Sequence, residues 1–161
     1  VESLPADLVL HPLDGKERTL DEQLKLFHLF AVIVDPYTYE SSWILDTGAR
    51  ILAEFSGADC RIAWIVAADA EGARSFMGPL AERAMVFADP DREFIAAIGA
   101  KELPALVHLG LDRSVMGLAE GWNPETWRPI AHKLASMMSW SQPQIPVNGD
   151  PASYQGTPAL P

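Results

Sequence analysis

Three short runs of almost wholly apolar, often β-branched residues, 27–34, 60–67 and 105–109, alternate with stretches of helical periodicity. Runs of this kind suit strands buried on both faces, the environment of a parallel sheet covered by helices. Residues 7–10 and 84–88 add shorter strand-like runs. Gly110-Leu111-Asp112-Arg113 reads as a hairpin turn into a strand over 114–118. Helices are expected between the strands. Thr19-Leu20-Asp21-Glu22 fits a capping box that opens one of them. Ser41 or Ser42 is the expected cap of a helix that carries Trp43, Ile44, Leu45, Gly48, Ile51, Leu52 and Phe55 on one face. A further helix spans 70–83, another runs from Asp89-Pro90-Asp91 to about Ile98, and Asn123-Pro124 starts the last one. The order β-α-β-α-β-α-β-α-β-β-α predicts an α/β fold: a mixed central sheet, parallel strands joined by right-handed crossovers, helices on both faces, and a terminal hairpin as its antiparallel edge.

The chain of 161 residues is read as one domain over 1–140 and a Pro-rich tail over 141–161. Five of the 21 tail residues are proline and only Asp150 is charged, so the tail is expected to pack along the body or to join a dimer contact. The formal net charge is −10. That sign excludes a nucleic-acid binder, which needs a basic footprint, and disfavours an anionic membrane surface. The longest apolar run, 29–34, is far short of the ~20 residues of a spanning helix. The N-terminal stretch has neither a basic nor an apolar signal region, so no signal peptide is expected. The single cysteine, Cys60, cannot form an intrachain disulfide and suits a reducing, cytoplasmic compartment.

Three stretches together resemble the thioredoxin superfamily. Val32-Ile33-Val34-Asp35-Pro36-Tyr37-Thr38-Tyr39-Glu40-Ser41 is similar to its strand, active-site turn and following helix. Phe87-Ala88-Asp89-Pro90-Asp91 leads into a helix ending Ile98-Gly99. Lys101-Glu102-Leu103-Pro104-Ala105-Leu106-Val107 is similar to the segment in which the superfamily carries a cis-proline before a strand. The additional helix and strand before Pro104 look like the peroxiredoxin and thiol-disulfide oxidoreductase branches. The resemblance implies a thioredoxin-like fold over about 7–140. It also implies a departure. The chemistry of the superfamily needs a thiolate at the helix tip, where the helix dipole and free amides lower a thiol pKa. Here Thr38 and Ser41 stand at the Cys-x-x-Cys positions, and an alcohol supports neither disulfide exchange nor peroxide reduction.

The expected function is therefore that of a redox-inactive module that binds an unidentified protein or peptide in the groove beside Pro104. Tyr37, Thr38, Tyr39, Ser41, Leu103, Pro104 and Trp122 are its candidate residues. Backbone pairing with an extended ligand would be β-augmentation on a small scale. Trp43 is expected in the core, and Tyr37 and Tyr39 at the surface. The alternative is an atypical thiol-dependent oxidoreductase or antioxidant protein in which Cys60 works with an external thiol such as glutathione. A small-molecule binder using the same cleft, and a homodimer, are further readings. His11, His28, His108 and His132 show no paired ligand spacing, so no metal is expected, and His108 reads as a satisfied core residue. No phosphate-binding loop, dinucleotide fingerprint or Gly-x-Ser-x-Gly motif is present, so no cofactor is expected.

Overall fold

The computed structural model describes residues 3–161. Val1 and Glu2, the opening of the stretch read above for a signal peptide, lie outside them. The three apolar runs form β3 (His28–Val34), β4 (Cys60–Val66) and β7 (Ala105–Leu109) at the middle of the sheet; β7 is wholly buried, β3 all but His28, and β4 from Ala63 on. Around them lie β1 (Val9–Pro12), β2 (Arg18–Thr19), β5 (Met85–Ala88) and β8 (Val115–Glu120). The strand order is β2-β1-β5-β4-β3-β7-β8. Only β5, β4 and β3 run parallel; β7 pairs antiparallel with both β3 and β8.

The first strand departs from the expected alternation. β1 pairs antiparallel with β5, so the sheet has antiparallel strands at both edges. A parallel crossover needs a dozen or more residues, most often a helix long enough to span the sheet. The helix that follows β1 and β2, α1 (Leu20–Gln23), has four residues and cannot carry β1 across the sheet. Its capping box forms as expected, with the Thr19 hydroxyl accepting from the Glu22 amide and the Glu22 carboxylate accepting from the Thr19 amide.

Successive strand residues point to opposite faces and divide the core in two. On one face Phe30, Val32, Trp64 and Leu106 pack against α3 (Leu45–Ala53), α4 (Ala70–Met77) and α6 (Pro124–Met138). On the other, Leu29, Ala31, Ile65 and Val107 pack against α1 and α5 (Glu93–Ile98). The helix expected over 43–55 is interrupted. It begins earlier, as α2 (Tyr39–Trp43), bends at Ile44 and resumes as α3. The Ser42 hydroxyl donates to the Tyr39 carbonyl at 2.6 Å, a back-bond that competes with the helical ladder and bends helices. The bend turns Trp43 outward, and it is 54% exposed rather than a core residue.

Beyond α6 the chain runs back over the body. Ile145 enters the first core and Ala159 the second. β9 (Thr157–Pro158) pairs antiparallel with β6 (Glu102–Leu103) in a separate two-stranded sheet. No helix among the described residues is long and apolar enough to cross a membrane.

Candidate functional site

The site lies where β3 ends and α2 begins, facing the loop that precedes β7. Asp35 terminates β3 and organises the turn. Its carbonyl accepts from the Thr38 amide at 3.1 Å and from the Thr38 hydroxyl at 2.9 Å. Its Oδ1 accepts from the Tyr37 amide at 3.0 Å, an Asx-type turn. Its own amide donates to Ser41 Oγ at 2.8 Å. Both alcohols at the helix tip thus hold the turn, and Ser41 is wholly buried. The remaining Asp35 oxygen pairs with Arg92 Nη2 at 2.8 Å, and both side chains are largely withdrawn from water. Arg92 is a non-glycine residue in the left-handed region, with φ 57°, which directs it back across the site from the start of α5.

The Leu103–Pro104 peptide is cis, and Leu103 and Pro104 are buried. Leu103 faces Thr157 of the C-terminal segment in the β6–β9 pair. Trp122 is also fully buried; its amide donates to the Tyr154 carbonyl and its carbonyl accepts from the Tyr154 amide, both at 2.9 Å. The Tyr154 hydroxyl donates to the Glu40 carbonyl at 2.6 Å on α2, and its ring meets Trp43 edge to face, centroids 5.2 Å apart. Burial and the neighbouring Glu40 push the Tyr154 phenol well above its ordinary range. Gly156 crosses Leu103 so closely that a Cβ would stand 2.4 Å from the Leu103 carbonyl oxygen. Gly121, at φ +69°, likewise leaves no room for a side chain beside the Tyr154 carbonyl.

The residues singled out in the sequence therefore fall into two groups. Ser41, Leu103, Pro104 and Trp122 are buried, with the C-terminal segment laid across Leu103 and Trp122, and Thr38 is half-buried between the groups. Tyr37 and Tyr39 are 78% and 81% exposed, and Trp43 at the end of α2 is exposed as well. Pro36, Tyr37, Thr38, Tyr39, Ser42 and Phe76 line a shallow cleft of about 360 Å³ there. Sequence reasoning missed Arg92, Tyr154 and Gly156. Tyr154, the single aromatic residue of 141–161, was the one local signal available.

Cys60 is elsewhere. It opens β4 opposite His28, while the site lies beyond Val34, which pairs with Val66. Six strand residues separate the two ends, roughly 20 Å. The thiol is half-buried, and burial, with Asp59 beside it, pushes its pKa up to about 11. Among the described residues no cluster of three or more His, Cys, Asp or Glu side chains is placed to hold a metal ion.

No protein-family model and no curated protein matches the chain. Solved structures do. A secreted Mycobacterium tuberculosis disulfide oxidoreductase homologous to E. coli DsbE is 14% identical, with a TM-score of 0.56 over 71% of this chain and 83% of that one. Peroxiredoxin Q of Xanthomonas campestris is 17% identical, with a TM-score of 0.65 over 86% and 96%. This is a thioredoxin fold. A hypothetical protein of Sinorhizobium meliloti shares it at 14% identity and a TM-score of 0.68, over 98% of this chain and 92% of that one, a span that takes in the C-terminal segment. Two of these three names are of thiol enzymes. At the α2 tip this thioredoxin fold carries Thr38 and Ser41, and its single sulfhydryl is at the opposite end of the sheet.

Proposed function

We propose that the protein is a redox-silent thioredoxin fold that binds polypeptide through the surface built around the α2 tip. One observation carries the reading. The two alcohols at the tip are committed to holding the turn, Thr38 to the Asp35 carbonyl and Ser41 to the Asp35 amide, so neither is free to attack a substrate. Beside them Tyr37, Tyr39 and Trp43 stand in solvent. Exposed aromatics grouped round a cleft favour interfaces, because each buries a large apolar face and keeps a polar edge. The Leu103 edge supports the same reading, since it already receives an extended strand. A chain with one thiol, and that one poorly ionised, suits a reducing, cytoplasmic compartment.

Two measurements on the intact protein test this. Dithiothreitol-driven reduction of insulin should run at the uncatalysed rate. Reduced, carboxymethylated lactalbumin, an unfolded polypeptide, should bind saturably, and Tyr39→Ala should weaken that binding several-fold. Catalysed insulin reduction, or no binding of the unfolded chain, overturns the proposal.

A further inference from the structure

The C-terminal segment is held in an unusual manner. The body grips it mainly by its peptide groups. Arg50 Nη1 donates to the Gln144 carbonyl at 2.7 Å, Arg128 Nε to Ile145 at 2.6 Å, Trp122 Nε1 to Pro151 at 2.7 Å and Arg92 Nη1 to Ala159 at 2.6 Å. The Ala159 amide donates in return to the Lys101 carbonyl at 2.9 Å. Four side chains from separate parts of the body thus read main-chain carbonyls, which every peptide possesses. The segment has little regular structure of its own beyond the two residues of β9 and the bridge at Tyr154. Its prolines remove amide donors, so it could not build a ladder alone.

The receiving edge shows the same relation from the other side. Among the described residues β6 pairs with β9 and with no other strand. Were β9 to leave, Glu102 and Leu103 would form an open strand edge, the setting in which an extended peptide adds to a sheet. Side-chain selectivity is confined to a few points. Ile145 and Ala159 are buried, Asp150 pairs with Arg50 and Thr47, Tyr154 rests against Trp43, and a glycine is required where the chain crosses Leu103.

We propose that residues 144–159 are a tethered ligand. They fill a groove that binds extended strands by their main chain, and a strand of the same chemistry supplied in trans enters only as they leave. That chemistry is proline-punctuated and nearly uncharged, with an aromatic residue, a glycine two positions on, and a small apolar residue three beyond that. The inference rests on the polypeptide-binding reading and names what the inner groove takes.

The test uses the full chain and a fluorescein-labelled peptide of residues 150–161. Asp150→Asn with Tyr154→Ala weakens the tether at two points, the contacts to Arg50 and Thr47 and those to Glu40 and Trp43, while leaving the body unchanged. The double variant should bind the peptide at least 10-fold more tightly than the wild type. Adding Trp122→Phe, which removes the donor to Pro151, should weaken that binding several-fold. No binding to the double variant, or binding indifferent to Trp122→Phe, overturns the proposal. Hydrogen exchange on the wild type serves if the variant does not fold. The amides of Tyr154 and Ala159 should exchange at least 10-fold faster than those of β3 and β7, whereas equal rates would make the segment part of the global fold and overturn it. A negative result in either experiment leaves insulin reduction and lactalbumin binding untouched, so the two proposals fail separately.

Discussion

Arg92 does more at this site than any residue the sequence marked. One guanidinium nitrogen neutralises the buried Asp35 carboxylate and another holds the Ala159 carbonyl. Removing one partner of a buried ion pair leaves an uncompensated charge and costs about 3 kcal/mol or more. Arg92→Ala should therefore lower the unfolding free energy in urea by about that amount, and a change under about 0.5 kcal/mol would show the pair to be dispensable. Thr19 was legible as a cap, because it acts on neighbours in the chain. Arg92 was not, since its partners lie 57 and 67 residues away and its left-handed backbone has no sequence marker in an arginine. Trp43 was misplaced for a related reason. Its helical spacing holds only if the helix is straight, and the Ser42 back-bond bends it.

At the scale of elements, β3 and β7 bring two histidines together. His28 Nδ1 and His108 Nε2 are 2.8 Å apart, and His108 is wholly buried with no partner for Nδ1. Burial, with His28 and Lys133 adding to it, lowers the His108 pKa to about 4; His28 is lowered too, by burial, against a smaller opposing effect of Asp112. The unfolded chain holds these protons with an ordinary pKa near 6.5. Between pH 6.5 and 4 it therefore binds more protons than the folded protein, so stability is complete above pH 6.5 and declines as the pH falls. The expected loss at pH 4 from His108 is about 3 kcal/mol, and His108→Gln should flatten the decline. An urea midpoint independent of pH across this range would contradict the burial of a neutral pair. The sequence placed His108 on a buried strand as a satisfied core residue, and the first part holds while its Nδ1 lacks a partner. It could not show His28 as its neighbour, because the antiparallel register of β3 and β7 is set by packing and by the hairpin beyond.

For the molecule as a whole, the three apolar strands, the helices on both faces and the hairpin edge were legible, because each is written in local periodicity. The direction of β1 was not, since it is set by pairing with β5, a strand far along the chain. The path of the C-terminal segment was legible only as packing along the body. Its grip on the site comes from arginine and tryptophan donors scattered over the chain, and such donors leave no pattern in sequence. Together these features describe a thioredoxin fold in which Thr38 and Ser41 hold the turn at the α2 tip and β9 covers the edge of β6. The redox-silent reading depends on Cys60 being chemically quiet. The most direct measurement is the rate at which the native protein reacts with iodoacetamide as a function of pH. The expected result is slow alkylation at pH 7 that rises only toward an inflection near pH 11, with fast alkylation once the chain is unfolded. Rapid alkylation of the folded protein with an inflection below pH 8 would contradict it, for the protein would then hold a working thiolate.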